Sequence, residues 1–378
     1  MRIVDRDSRR DAGPTVGLLA LIGLALAVLW SLDVFLARTE QDAVQAEAAR
    51  MYDQGKAALQ SGNAAEAVDD LRRASSLVRD NRAYQLDYAQ ALISAGKLDE
   101  ADTNLKTLLQ ADPNNGQANL LAARLMVKQG KAADAESHYH RAIYGSWPEN
   151  APKHRLQVRM ELANFLVSRG EQQELLAELL ALDNESQASV PMRKQIAHLY
   201  LVAGSPGRAA GVYRDLVRRD PDDAASYVGL GEVEMAQGDY HSALSAFLDA
   251  SRRNSDDPTV QNAIERCNAV IALDPTPRRL SSAEKFARST QILKLARDAL
   301  DRCLGNHAAG NVDDMRKMVD ASDKMLAEKT PAHVTNELSE ARLTFAEQLW
   351  QARVKACGPN TSDQEEALSL IMMKLARS

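Results

Sequence analysis

The sequence predicts an all-α fold, a stack of helical hairpins, because three observations agree. Six glycines recur at intervals of 34, 34, 40, 34 and 34 residues. A small or apolar residue follows each glycine by five positions, and a large apolar or aromatic residue follows by nine. Aromatic residues make up only 4% of the chain, as in helical arrays rich in alanine and leucine. A fixed period in this range is typical of a stacked repeat array. The glycines are Gly62, Gly96, Gly130, Gly170, Gly204 and Gly238.

Each periodic position has a physical role within its unit. The glycine ends the first helix because it tolerates the left-handed conformation of a tight turn. The small residue after it lets two helices approach closely, and the large residue fills the space between hairpins. Prolines that follow second helices, Pro113 and Pro221, cannot continue a helix. The five-position set is Ala67, Ala101, Ala135, Leu175, Ala209 and Ala243; the nine-position set is Leu71, Leu105, Tyr139, Leu179, Tyr213 and Phe247.

This pattern resembles the tetratricopeptide repeat (TPR) over a little more than half of the chain. The resemblance implies a TPR solenoid of about six helix–turn–helix units within residues 38–257. Residues 150–155 form an insertion between the third and fourth units, and Trp147–Pro148 before it predicts an irregular link. The units fall at 48–81, 82–115, 116–149, 156–189, 190–223 and 224–257.

The resemblance also implies a concave face that is lined by the first helix of each unit and binds a protein or peptide partner. Two positions of each first helix, the fifth and the ninth of the repeat, give this face a mixture of polar and apolar side chains. That mixture would hold a peptide through hydrogen bonds and pockets, or would only solvate an open groove. The ninth repeat position gives Lys56, Gln90, Arg124, Asn164, His198 and Glu232, and the fifth gives Tyr52, Leu86, Leu120, Met160, Lys194 and Val228.

The N-terminal segment predicts a membrane anchor. Thr15 to Leu32 contains no charged residue, and with a single interruption at Asp33 the apolar run extends to Ala37. About 20 apolar residues span a bilayer as a helix. We therefore predict a cytoplasmic tail at 1–14 and a transmembrane helix at 15–37. A cleavable signal peptide is the alternative, but its apolar core is shorter and ends at a small-residue site that does not directly follow here.

The charge bias around this segment predicts its orientation. Arginine is more frequent before the apolar run than after it, and positive charge marks the cytoplasmic side. In a bacterial cell this places the protein in the inner membrane with its repeats in the periplasm. The arginines before the run are Arg2, Arg6, Arg9 and Arg10; those that follow are Arg38 and Arg50.

Residues 258–378 lack the repeat period and predict a separate helical bundle. Asp257–Pro258 begins a helix that runs to about Leu273, and Ser281 with Glu284 forms a capping box. A second helix near Val312 to Ala327 carries a methionine stripe, which we assign to core packing. Thr330–Pro331 is expected to begin a third helix, and Ser362 with Glu365 a last one.

The bundle also holds all three cysteines. Cys303 and Cys357 each close a long helix, and in an up–down–up bundle the ends of the first and third helices meet. We therefore predict a disulfide between Cys303 and Cys357, which an oxidising periplasm would permit. Cys267 lies in mid-helix and is expected to be a buried apolar residue. In a cytoplasmic protein all three would instead be reduced core residues.

No sequence motif predicts chemistry. The chain lacks phosphate-binding, nucleophile-elbow, zinc-protease and C-x-x-C motifs, so we predict no catalytic, cofactor or metal site and a protein that is not an enzyme. A net charge of −6 argues against nucleic acid. We predict a scaffold or adaptor of a bacterial envelope assembly. The alternatives are an enzyme or cofactor-carrying subunit with its site in the C-terminal bundle, and a regulatory adaptor that faces the cytoplasm.

Overall fold

The computed structural model describes residues 12–185, 188–254, 256–305, 311–331, 333–359 and 365–376. These residues form 17 helices, and none of them lies in a β-strand. The chain divides into two compact units, Met1–Leu162 and Ala163–Ser378, which we describe one at a time. The arginines that set the predicted orientation, Arg2 to Arg10, lie outside the described residues.

The first unit begins with one long helix that joins the apolar segment to the first repeat. This helix contains 49 residues, which corresponds to about 74 Å at 1.5 Å per residue. Neither glycine nor proline occurs between Gly23 and Gly55, so nothing in the sequence interrupts it. The helices of this unit are α1 (Ala12–Gln60), α2 (Ala64–Leu77), α3 (Arg82–Ser94), α4 (Leu98–Ala111), α5 (Gly116–Lys128), α6 (Ala132–Tyr144) and the start of α7 (Ala151–Arg169).

The periodic small residues pack where the helices approach each other. Ala67 and Ala101 are completely buried, and Leu71 and Leu105 fill the interior beside them. At Gly55, a Cβ atom would lie 2.6 Å from Cγ of Leu71, so a larger residue has no room there. All six repeat glycines adopt the left-handed conformation that their turns require. The prediction of an all-α array of TPR-like hairpins is therefore confirmed.

The apolar part of α1 is exposed along its length. Leu21, Trp30 and Phe35 have 66%, 72% and 62% of their surface accessible. Within the described residues, α1 is the helix that is long and apolar enough to cross a membrane. The criterion rests on length and apolarity alone, so a signal sequence at the N-terminus meets it as well as a membrane-spanning helix does.

The second unit contains the remaining repeats and a helical bundle. The interior of the bundle is formed mainly by leucine, isoleucine and alanine, with Ile292, Leu293 and Leu349 fully buried. After α7, the helices are α8 (Gln172–Asp183), α9 (Val190–Val202), α10 (Pro206–Arg219), α11 (Ala224–Gln237), α12 (Tyr240–Arg253), α13 (Pro258–Leu273), α14 (Ser282–Gly305), α15 (Val312–Ala327), α16 (Asn336–Cys357) and α17 (Glu366–Leu375).

Most helix boundaries in the bundle agree with the sequence, but one differs. The Ser281 hydroxyl accepts a hydrogen bond from the Glu284 amide and donates one to its carboxylate, so the capping box is confirmed. The third helix was expected to begin at Thr330–Pro331, which is wrong, since α16 begins at Asn336. Thr335 is extended immediately before it, a conformation that suits a β-branched residue. Ser362 lies outside the described residues.

The methionine stripe of α15 packs into the bundle as expected. Met315 is buried, and Met318 and Met325 are partly buried against the same apolar cluster. These flexible side chains fill gaps between α15 and its neighbours.

Buried charges and a cysteine pair join distant parts of the bundle. The sulfurs of Cys303 and Cys357 lie at bonding distance, 2.01 Å, while Cys267 is a separate buried thiol. Burial raises the pKa of Cys267 to about 11, which keeps this thiol protonated. Nearby, the buried guanidinium of Arg353 lies 2.7 Å from the carboxylate of Glu365. The structure thus brings together the two cysteines that the sequence paired.

Candidate partner-binding face

The first helices of the repeats in the first unit present a row of polar and aromatic side chains. At one end, the Tyr52 hydroxyl donates a 2.6 Å hydrogen bond to Asp87, and its ring stacks on Tyr84 at 4.4 Å. The Lys56 ammonium lies 5.1 Å from the centre of the Tyr52 ring, within cation–π range. Burial, and then the hydrogen bond to Asp87, raises the pKa of Tyr52, so its hydroxyl stays protonated.

The centre of the same row is held by an ion pair. The Arg124 guanidinium donates to both carboxylate oxygens of Glu161, at 2.9 and 2.7 Å, and reaches the Gln90 side chain at 3.5 Å. The Tyr139 hydroxyl donates to Glu161 as well, at 3.0 Å. The hydrogen bonds to Glu161 raise the pKa of Arg124. This guanidinium is therefore already committed within the protein, which reduces what it can offer to a partner.

The link Ser146–Pro148 and the insertion at 150–155 that follows it, from here on together called the insertion, fold back against α5. The amide of Gly116 donates to the carbonyl of Ser146, and the indole N–H of Trp147 donates to the carbonyl of Ala142, each at 2.9 Å. A Cβ atom at Gly116 would lie 2.3 Å from the Trp147 indole nitrogen, so glycine is required for this contact. The Trp147 ring stacks on His154 at 4.4 Å with an interplanar angle of 9°. The insertion is thus fixed rather than loosely attached.

A buried hydrogen-bond network around Asn119 lies next to the turn that precedes α5. The fully buried Asn119 amide donates to the carbonyls of Pro113 and Asn115 at 2.9 Å. Its oxygen lies 3.0 Å from Nδ1 of His138, so that nitrogen carries the hydrogen. Burial lowers the pKa of His138 and favours the neutral ring. These contacts fix the turn that leads into α5.

The row and the insertion together enclose a cleft of about 390 Å³. Its lining combines carboxylates, side-chain amides and a guanidinium with an apolar wall. Aspartate, glutamate and glutamine side chains can accept hydrogen bonds, and glutamine can also donate. The lining residues are Asp87, Gln90, Gln117, Leu120, Leu121, Arg124, Trp147, Pro148, Glu149 and His154.

The face residues expected from the TPR resemblance occupy different environments. Gln90, Leu120 and Arg124 line the cleft, whereas Leu86 and Met160 are only 6% and 8% exposed and belong to the interior. In the second unit, Asn164, His198 and Glu232 are exposed and Val228 is half-buried. There, Lys194 forms an ion pair with Asp223 at 2.7 Å.

Sequence reasoning missed several residues of this face. Asp87 and Glu161 were overlooked because they follow fifth repeat positions, and their partners lie a full repeat away. The aromatic wall from the insertion was also missed. The break from 34 to 40 residues between glycines, together with Trp147–Pro148, was the available signal. Among the described residues, no group of three histidine, cysteine or acidic side chains is arranged to hold a metal ion.

Comparison with protein families identifies the repeats. The tetratricopeptide repeat family model matches residues 52–102, 89–151 and 194–258. These ranges cover the first three units and the last two that the glycine spacing predicts. The chain therefore contains tetratricopeptide repeats, as the sequence predicted.

Individual relatives match only in part. The TPR repeat-containing thioredoxin TTL4 of Arabidopsis thaliana is 34% identical over 104 residues, which are 28% of this chain and 15% of the relative. DnaJ homolog subfamily C member 3 of Gallus gallus is 20% identical over 264 residues, which are 65% of this chain and 49% of the relative. The chain thus spans less than half the length of either relative.

Among solved structures, the C-terminal part of a TPR repeat-containing protein from Cytophaga hutchinsonii is similar. It has a TM-score of 0.45 and 10% identity, and the match covers 84% of this chain and 99% of that one.

Proposed function

We propose that this chain is a membrane-anchored scaffold of a bacterial envelope assembly, which binds a protein or peptide partner through the first helices of its repeats. The observation that carries this proposal is the preassembled face of the first unit. Its tyrosines, Arg124 and Trp147 are held in place by contacts within the protein, beside a cleft that is open to solvent. Fixed side chains lose little conformational entropy when a partner binds.

The exposed apolar length of α1 supports the anchor. Isolated exposed apolar residues are common on soluble proteins, but a continuous exposed stretch of this size needs a cover. A bilayer provides one, and the arginines that precede the stretch favour a cytoplasmic N-terminus. The pairing of Cys303 with Cys357 fits an oxidising compartment on the other side.

The absence of enzymatic activity is part of this proposal. The tetratricopeptide repeat fold is typically a non-enzymatic protein-interaction scaffold. At the centre of the face, Arg124 and Tyr139 are both hydrogen-bonded to Glu161.

Site-specific photocrosslinking in the native membrane tests the binding face. A photoreactive amino acid at Lys56 or Gln117, on first helices, should crosslink the same partner. The same probe at Arg73 or Lys106, which are exposed on second helices, is the matched control. Crosslinks from the control positions and none from the first helices would place the binding surface elsewhere.

A second experiment tests the anchor and its orientation. N-terminal sequencing of purified protein should begin at or near Met1, and a start beyond Ala37 would show a cleaved signal peptide instead. A C-terminal alkaline phosphatase fusion, which is active only in the periplasm, should be active. An inactive but intact fusion would place the repeats in the cytoplasm.

A further inference from the structure

We propose that the cleft beside the insertion accepts a lysine or arginine side chain of the partner, carried on an extended segment with apolar neighbours. This inference rests on the proposed binding face and specifies the chemistry of what binds there. It follows from the charge balance of the cleft, from its apolar wall and from the rigidity of the insertion.

The charge balance favours a cation. The guanidinium of Arg124 is neutralised by the two short hydrogen bonds to Glu161. Asp87 and Glu149 remain as carboxylates in the lining, and within the described part of the chain neither forms an ion pair with a lysine or arginine. Among the residues that the structure describes, the side chain bonded to Asp87 is the neutral hydroxyl of Tyr52. A carboxylate keeps lone pairs for a further donor after one hydrogen bond.

The wall of the cleft suits the stem of such a side chain. Leu120, Leu121, Trp147 and Pro148 form an apolar surface beside the carboxylates. Lysine and arginine bury their methylene stems on apolar surfaces while their charged ends reach polar groups. Aromatic rings also attract a cation that lies over their faces. The side-chain amides of Gln90 and Gln117 can pair with the backbone of an extended segment.

The insertion holds this wall in place before any partner binds. Trp147 is fixed by its hydrogen bond to Ala142, by close packing on Gly116 and by stacking on His154. A fixed wall reduces the ordering that binding requires. An acidic segment, in contrast, would meet Asp87 and Glu149 and would find the one arginine of the lining already paired.

Fluorine NMR of the full chain in detergent micelles tests this proposal. The chain has three tryptophans, Trp30, Trp147 and Trp350, so 5-fluorotryptophan labelling gives three signals, and Trp147→Phe identifies the one of interest. The probes are acetylated, amidated pentapeptides Gly-Leu-X-Leu-Gly, in which X is lysine, arginine, norleucine or glutamate. We expect the lysine and arginine peptides to shift the Trp147 signal, and the norleucine and glutamate peptides to bind at least about threefold more weakly.

Neutral variants of the two lining carboxylates test whether each of them binds the cation. Asp87→Asn keeps an acceptor for Tyr52, and Glu149→Gln keeps the size of the side chain. Each should weaken lysine-peptide binding about two- to fivefold, the range for an exposed ion pair. Glu100→Gln, on the exposed surface of α4, is the matched control and should change nothing.

Equal binding of the lysine and norleucine peptides, preference for glutamate, or no shift at about 10 mM peptide would each overturn the inference. The crosslinking experiment separates these failures from failure of the proposed function. Crosslinks from Lys56 and Gln117 would uphold the binding face even where the cleft shows no preference for a cation. Their absence, together with crosslinks from the control positions, would overturn both.

Discussion

The repeats of the first unit and the C-terminal bundle of the second unit are stabilised in different ways. The repeats are packed through alanines such as Ala67 and Ala101, which lie between helices that are neighbours in sequence. The bundle depends on pairs that are distant in sequence. Cys303 and Cys357 are 54 residues apart, and Lys374 and Asp274 are 100 apart. Local spacing therefore specifies the repeats, whereas the bundle needs specific partners to meet.

This difference predicts how each region responds to change. In the repeats, a residue of the wrong size should be costly while loss of one charge should matter little. In the bundle, replacing one member of a buried pair should lower the stability most. Hydrogen exchange of the full chain, resolved by peptide, reports the two regions separately.

The largest effect is expected at the buried charge pair of the bundle. Glu365→Gln leaves the Arg353 guanidinium, 8% exposed, without its carboxylate, and the more exposed Arg302 loses the same partner. Removing one partner of a buried pair costs about 3–5 kcal/mol of stability. Exchange should accelerate in α14 and α16 but not in α3 or α5.

The control for this pair is its joint replacement. Arg353→Met with Glu365→Leu removes both charges, and the free energy of unfolding of the bundle should recover most of the loss. A double variant as unstable as the single one would show that packing, rather than an uncompensated charge, is the cause.

Loss of the cysteine pair is expected to have the next largest effect. Cys303→Ala should lower the stability of the bundle by about 2–4 kcal/mol, because a link across 54 residues restricts the unfolded chain. A reductant should have the same effect on the natural protein and none on this variant. Cys267→Ala is the control, and it should stay sensitive to reductant. Three free thiols in peptide maps from the native membrane would contradict the bond and weaken the periplasmic assignment.

In the repeats, the damaging change is expected to be an oversized side chain in the core rather than the loss of a paired side chain. Ala101→Leu adds volume at a completely buried position and should cost roughly 1–3 kcal/mol. Exchange should accelerate in α3 and α4 and stay unchanged in the bundle. The same substitution at the exposed Ala133 is the matched control. Equal tolerance of both leucines would show that the repeat register is wrong.

The smallest effects are expected at two glycines three residues apart, and they should have opposite signs. Gly204 has φ +69°, so Gly204→Ala should destabilise its hairpin by about 1–2 kcal/mol. Gly207 lies in α10 with open space around it, so Gly207→Ala should stabilise by about 0.4–1 kcal/mol. Thermal unfolding of the two variants gives both signs. An added Cβ has open space at both positions, so a shift in the same direction for both would show that the left-handed conformation of Gly204 does not decide the sign.

The same contrast explains what the sequence could predict. The positions of the repeat glycines and their alanines were visible because each role recurs at a fixed spacing. The capping box at Ser281 and the bounds of α13 and α15 were also local signals. The later start of α16 was not predicted, because Thr330–Pro331 is a local helix-start signal whereas the helix begins only after the extended Thr335.

The candidate site was predictable only in part. The repeat register placed Gln90 and Arg124 on one face, and the structure puts both in the cleft. It could not show that Arg124 is paired with Glu161, which lies 37 residues away. The aromatic wall depends on how an insertion folds back, and no periodic pattern describes an insertion.

The unbroken course of α1 has a mechanical consequence. Where its apolar part lies in a bilayer, the helix acts as a strut rather than a flexible tether. About 16 Å of helix separate Ala37 from Ala48, which is completely buried at the start of the first repeat. The strut would set the height of that repeat above the membrane and the direction in which it points. One residue inserted between them would raise the repeat by only about 1.5 Å but turn it by about 100°.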